Sequence, residues 1–288
     1  MATETSSKST PRAVARGVTQ RWRSRQGAGT LGWLLTVPFL LFLLVPLIAL
    51  IARTSVEQLQ TSLADPRVGM AVALSFKTTL ISLALTLVLG TPVAYRLAVG
   101  RGRLAKVMDT LVDLPTVLPP SVAGIALLLA FGRMGLVGAW LNETFGISVA
   151  FTQTAVILAQ TFVATPFYIK AAAIALGSIE PDFKQAAALD GAGGFQVFRY
   201  ITVPLAWSGL VSGAVMSWAR ALGEFGATIL FAGNLPGVTQ TMPLAIYLGF
   251  ESNLNIAIAL AVILMTCSFV ALLLARFLLN RHSFTPQN

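Results

Sequence analysis

The sequence predicts an all-α integral membrane protein of about six transmembrane helices, and three observations carry that prediction. Of its 288 residues 56% are hydrophobic and only 11% are charged, more apolar surface than one globular core of this length needs to bury, so the bilayer is its natural solvent. Six apolar stretches stand at residues 31–52, 78–98, 111–131, 151–176, 205–232 and 256–279. Rising 1.5 Å per residue, each spans roughly the 30 Å of the hydrocarbon core. Lys and Arg fall almost entirely on alternate sides of these stretches, as topology requires.

Taken in order, residues 1–30 are rich in Ser, Thr and Arg, lack an apolar period, and are expected to be a disordered basic tail at the cytoplasmic face, against anionic headgroups. Stretch 31–52 is too long for a signal-peptide core and is expected to remain as an anchor. Lys8, Arg12, Arg16, Arg21, Arg23 and Arg25 precede it; Arg96, Arg101, Arg103 and Lys106 surround the next turn; Lys170, Lys184 and Arg199 surround the third; Arg276 and Arg281 close the chain. The opposite side holds only Arg53, Arg67, Lys77 and Arg133. Both termini are therefore predicted to be cytoplasmic, with loops 99–107 and 177–203, while 53–77, 132–150 and 233–253 face outward. The six helices read as one domain over 31–279, followed by a cytoplasmic tail at 280–288.

The net charge of +9 lies in short clusters between apolar runs with no aromatic-rich basic face, which argues against nucleic acid. One cysteine, Cys267, and one histidine, His282, exclude an internal disulfide and a thiolate metal cluster; no metal site or catalytic set is predicted. None of the five lysines follows a glycine, so a phosphate-cradling loop is missing. If the protein works with ATP, hydrolysis belongs to another polypeptide.

The connection at 178–204 reads as helix, turn, helix. Pro181 suits a first helical position, Ala186, Ala187 and Ala188 are strong helix formers, and Gly191 supplies a left-handed terminator. Phe195, Phe198 and Ile201 then recur at helical spacing, and Pro204 marks the entry to the next stretch.

Two stretches carry polar groups that hydrocarbon does not tolerate. In 205–232, Arg220 and Glu224 are four apart and predicted to share a helix face. They serve either as a self-satisfied pair holding helices together or as part of a pathway. Gly223, Gly226 and Thr228 suit close packing or a narrow pore. In 111–131, Pro115, Pro119 and Pro120 remove backbone donors and break regularity, and Thr116 and Ser121 offer hydroxyls to a passing anion or to their own helix.

The spacing Gln185-Ala186-Ala187, Gly191, Ile201, Pro204 resembles the coupling loop of permease subunits in ATP-binding-cassette importers. That resemblance implies a type I importer permease fold in which Gln185, Ala186, Ala187, Asp190 and Gly191 meet the ATPase. Gln185 stands where the family usually has glutamate; the amide keeps reach and loses charge. The run from Arg220 to Thr228, the segments Phe231–Gly237 and Thr239–Tyr247, and Asp113–Gly124 resemble molybdate permeases closely and sulfate permeases less so. The likeness extends over residues 78–276. It implies molybdate or tungstate as cargo, with sulfate or thiosulfate the alternative and an ion-coupled secondary transporter a weaker one. It further implies a homodimer in a bacterial or archaeal cytoplasmic membrane, an ABC ATPase partner carrying ATP and magnesium, no cofactor on this chain, and an extracytoplasmic oxyanion-binding protein. Thr116, Ser121, Arg220, Glu224 and Thr228 are the pathway or gate candidates.

Overall fold

In the computed structural model the described residues are 26–282, and their regular structure is entirely helical. The basic tail expected over 1–30 lies, through residue 25, outside the described residues, as do residues 283–288 of the C-terminal tail. The chain divides into two compact units, residues 1–54 and 55–288. The first contains α1 (Gln26–Ala52), which begins five residues before the expected start at 31 and runs through Pro38 and Pro46.

The second unit opens with the short helix α2 (Val56–Leu63), whose entry is a reciprocal cap: Ser55 Oγ accepts from Gln58 N–H at 3.1 Å and Gln58 Oε1 accepts from Ser55 N–H at 3.4 Å. Next comes α3 (Pro66–Val99), with Pro66 in its first turn and Asp65 accepting from the Arg67 N–H at 2.8 Å. The expected span at 78–98 is thus only the later part of a 34-residue helix. Hydropathy clips the helix at Lys77, a residue the fold accommodates by letting its amine donate to Gln153 Oε1 at 2.9 Å.

The third expected span, 111–131, is two helices: α4 (Arg103–Val117) and α5 (Pro120–Phe131), bent by 111°. Pro119 and Pro120 stand four residues after Pro115 and Thr116, so the carbonyls of those two residues face residues with no N–H to donate, and the helix cannot continue. A short outer helix α6 (Gly138–Phe145) leads to α7 (Gln153–Gly177), capped by Thr152. The connection predicted as helix, turn, helix follows as α8 (Pro181–Leu189), α9 (Gly194–Val197) and a wider-wound π-type turn, Phe198–Thr202, that runs into α10 (Val203–Leu222).

The fifth expected span, 205–232, also breaks: α10 ends at Leu222 and a separate α11 covers Gly226–Ala232. The stretch expected as an outer loop, 233–253, is largely α12 (Met242–Ser252), and the link before it buries Thr239, Gln240 and Thr241. Leu235 closes that link, its carbonyl accepting the N–H groups of Val238, Thr239 and Gln240. The chain ends in α13 (Leu254–His282). Among the described residues five helices are long and apolar enough to cross a membrane, or six when the bent pair α4–α5 counts as one span.

Within the second unit α3, α7 and α10 form the centre. α7 and α10 meet along a stripe of small residues, since a methyl added at Gly213 would lie 2.9 Å from Ala171 Cβ and one at Gly209 would overlap Ala175 outright. Ala94, Tyr168, Ala172, Leu176, Ala206 and Leu210 complete this core, and Ala123, Leu127, Val156, Ala159, Ala227 and Phe231 bind α5 and α11 to α7.

Candidate functional site

The two broken spans meet at their breaks. A methyl added at Gly226, the first residue of α11, would lie 2.7 Å from Pro120 Cβ and 3.4 Å from Ser121 N; one at Gly124 would lie 2.8 Å from the Ala227 carbonyl oxygen. Absence of Cβ on both sides is what lets α5 and α11 cross this closely. The level of the crossing is read along α7: Ala123 and Ala227 cluster with Ala155, Val156, Ala159 and Val163 in the first half of the helix Gln153–Gly177, and Pro115, before the break, shares a cavity of about 250 Å³ with Thr161, Phe162, Thr165 and Pro166. Non-helical backbone at such depth is tolerated only where protein or a water-filled path surrounds it. Beside the break Thr116 and Ser121 are exposed, and the Thr116 hydroxyl donates to the Asp113 carbonyl at 2.7 Å.

On the other side of the crossing, Arg220 Nη1 and Glu224 Oε2 pair at 2.7 Å, with the Glu224 side chain 1% exposed and that of Arg220 28% exposed. The expectation that both share a helix face needs correction: α10 ends at Leu222, and Glu224 sits in the non-helical turn. The carboxylate gains from that placement. Its second oxygen, Oε1, accepts from the Ala227 N–H at 2.8 Å, satisfying a donor that the first turn of α11 leaves without an intrahelical partner. A buried carboxylate is tolerable when a guanidinium and an amide share it, and strongly destabilising once one partner is removed. Thr228, next along α11, is fully buried, and its hydroxyl finds no partner among the described residues.

Two polar features were missed by the sequence reading. Lys170 on α7 holds two carboxylates of α4 at once, Asp113 at 2.8 Å and Asp109 at 2.5 Å. The four-residue spacing of the aspartates signals one helix face, but a partner sixty residues away has no local sign. A ladder of hydroxyls joins α3 to α7: Thr161 donates to Ser82 Oγ at 3.0 Å, Thr86 and Thr165 share a bond of 3.1 Å, and Thr91 and Tyr168 one of 2.6 Å. Nearby, Ser217 on α10 donates to the Ala164 carbonyl at 2.9 Å and the Trp218 indole donates to Thr79 Oγ1 at 3.1 Å.

At the far end of the unit the predicted turn takes the predicted form. Gly191 has φ +85, and the Ala192 and Asp190 N–H groups return to the Ala187 and Ala186 carbonyls at 3.0 and 3.1 Å. Gln185, Ala186, Asp190 and Gly191 are exposed and Ala187 is half-buried. The same connection also exposes Phe183, Leu189 and Phe195. Among the described residues no cluster of His, Cys, Asp and Glu could hold a metal ion.

Residues 87–283 match the model of the family described as binding-protein-dependent transport system inner membrane component. The molybdenum transport system permease protein ModB of Mycobacterium tuberculosis is 43% identical over 234 residues, covering 81% of this chain and 88% of that one. The probable transport system permease protein NifC of Clostridium pasteurianum is 41% identical over 243 residues, 84% of this chain and 85% of its own. In shape the chain is similar to one in the crystal structure of a bacterial ABC transporter involved in the import of the acidic polysaccharide alginate, with a TM-score of 0.71 at 18% identity, covering 92% of this chain and 99% of that one.

Proposed function

This chain belongs to the binding-protein-dependent transport system inner membrane components, and on that premise we propose that it is the permease subunit of an importer carrying molybdate, or its congener tungstate, into the cell. The observation that supports the cargo is the 43% identity to a molybdenum transport permease over most of both chains. Energy comes from ATP and magnesium bound on a separate ATPase subunit. The exposed turn at Gln185, Ala186, Ala187, Asp190 and Gly191 docks on that subunit through apolar neighbours and the amide of Gln185, with both termini on the same, cytoplasmic side. Two copies of the chain enclose the path, and an extracytoplasmic binding protein delivers the anion to the outer loops.

A tetrahedral dianion entering hydrocarbon unaided faces a Born penalty of roughly tens of kcal/mol. Water and hydrogen-bond donors must therefore accompany it. At the paired breaks a cation, an unpartnered hydroxyl and non-helical backbone coincide within the length of chain that α7 spans. Arg220, Glu224 and Thr228 from one broken span and Thr116 and Ser121 from the other are assigned to that path. High selectivity belongs to the binding protein; the permease offers a weak seat that empties quickly.

The test is the ATPase activity of the permease reconstituted with its genomically adjacent ATPase and binding protein, with molybdate, tungstate, sulfate or no anion. Stimulation by molybdate or tungstate alone is expected. Stimulation by sulfate alone overturns the cargo, and failure to associate with the ATPase overturns the importer.

A further inference from the structure

At the paired breaks the donors that an oxyanion needs are already engaged by an anion of the chain itself. Glu224 is buried with one oxygen on Arg220 and the other on the Ala227 N–H, at 2.7 and 2.8 Å. A guanidinium plus a backbone amide is the donor set that recognises phosphate-like groups elsewhere in proteins. Arg220 has five N–H donors in a planar fork; its Nη1 pairs with Glu224, and 28% of the side chain is exposed. One residue on from Ala227 in sequence, the Thr228 hydroxyl is fully buried and has no partner among the described residues. Such a group is disfavoured unless something intermittently bonds it.

We propose that Glu224 is a resident competitor: the transported oxyanion takes N–H donors of the Arg220 guanidinium and the Thr228 hydroxyl, and the Glu224 carboxylate keeps that hold weak enough to release. An unopposed guanidinium at 4 Å, at an effective dielectric near 20, would favour each unit of anionic charge by about a thousandfold. A dianion held that firmly would block the path. The neighbouring carboxylate cancels most of that field while fixing the guanidinium at the crossing, so one residue both positions the cation and shortens the anion's stay. This inference rests on the oxyanion reading of the same site.

The experiment uses the permease–ATPase complex in lipid nanodiscs without binding protein, measuring equilibrium binding of radiolabelled molybdate, alongside uptake into proteoliposomes with the loaded binding protein. Glu224→Gln keeps an amide oxygen for the Ala227 N–H and removes the charge. It should bind molybdate at least about tenfold tighter than wild type, and its uptake should turn over more slowly. Thr228→Val is isosteric and removes only an unpartnered hydroxyl, so the complex should melt at or above the wild-type temperature while uptake falls severalfold. A merely structural role for Thr228 would move melting and uptake together. Binding by Glu224→Gln no tighter than wild type, or full uptake by Thr228→Val, overturns the proposal; should Glu224→Gln not assemble, Thr228→Val decides. Wild-type uptake of molybdate separates the two readings: if the wild type moves no oxyanion, the function fails and the inference with it. If it does, and the variants behave otherwise than expected, only the resident competitor fails.

Discussion

Replacing Gly226 by alanine tests whether the two breaks are in contact. The added carbon would sit 2.7 Å from Pro120 Cβ, against about 3.5–4.0 Å for unstrained carbon neighbours. Pro120 belongs to a rigid ring at the start of α5, so the relief must come from moving the helices apart by about 1 Å. Overpacking of this kind costs about 1–3 kcal/mol. At the first residue of α11 alanine recovers little of its helix-interior advantage over glycine, so the net loss stays at about 1–3 kcal/mol. The displacement also pulls at the adjacent Ala227 N–H and hence at Glu224. Thermal denaturation of the purified complex should show the lowered melting temperature, and proteoliposome uptake should fall further than the stability loss explains. Gly69→Ala is the control, because no heavy atom lies within 4 Å of an added methyl there and the residue is inside α3. That variant should be neutral or slightly stabilised. A Gly226→Ala protein that melts and transports like wild type would refute the contact.

Lys170→Met removes the cation between two carboxylates and leaves Asp109 and Asp113 repelling along one face. With side-chain exposures of 34%, 52% and 44% the pairs are well hydrated, so the loss should be about 1–2 kcal/mol in total, and Asp109→Asn or Asp113→Asn alone should cost less than about 1 kcal/mol. Equal losses from all three in denaturation curves would count against a shared clasp. Gly191→Val forces a β-branched side chain to φ +85, with a strain of about 1–2 kcal/mol confined to the turn because nothing lies within 4 Å. Hydrolysis by the associated ATPase should persist while uptake falls; unchanged coupling would remove the turn from the docking surface.

Features that depend on neighbours in sequence were legible. Gly191 ends α8 in the left-handed region because a helix terminator is a local stereochemical choice, and Pro181 opens a helix where a missing N–H does no harm. The span count was legible from apolar length, but span boundaries were not: hydropathy weighs side chains and is blind to main-chain donors. Pro115, Pro119 and Pro120 announced irregularity, yet the 111° bend depends on where α5 finds α11 to pack against. The same blindness merged α10 with α11. Glu224 is recognisable from the sequence as costly, with a pair to Arg220 as one of its two readings, and the structure shows that pair. Its second bond, to Ala227, could not be foreseen while residues 205–232 were taken as one helix. The buried link at 239–241 looked like an outer loop because Thr and Gln are polar. In the fold, Leu235 N–H donates to Thr239 Oγ1 at 3.0 Å and Gln240 Nε2 donates to Asn234 Oδ1 at 2.9 Å, so Thr239 and Gln240 meet their needs within the protein, while the buried Thr241 hydroxyl has no partner among the described residues.

How the interfaces are divided between strong and weak contacts bears on how the subunit can move. Along α3 the buried stripe includes Ser75, Thr78, Thr79, Ser82 and Thr86, and much of its hydrogen bonding returns to its own helix, as when Thr78 donates to Leu74 O at 2.9 Å and Thr79 to Ser75 O at 2.7 Å. Cross-helix hydroxyl bonds in bilayers are each worth only about 0.6 kcal/mol on average, and helices already satisfied internally lose little when such bonds are exchanged. The α7–α10 contact is different, because Gly209 and Gly213 admit Ala175 and Ala171 so closely that sliding would bring atoms into collision. Thus α7 and α10 should shift as one body, carrying Arg220 at the end of α10 and Lys170 on α7 with them. The partners of those two cations lie outside that body, Glu224 in the following turn and Asp109 and Asp113 on α4. The charged contacts therefore stand where this body joins the broken spans, and a relative movement that opens or closes the crossing must work against them.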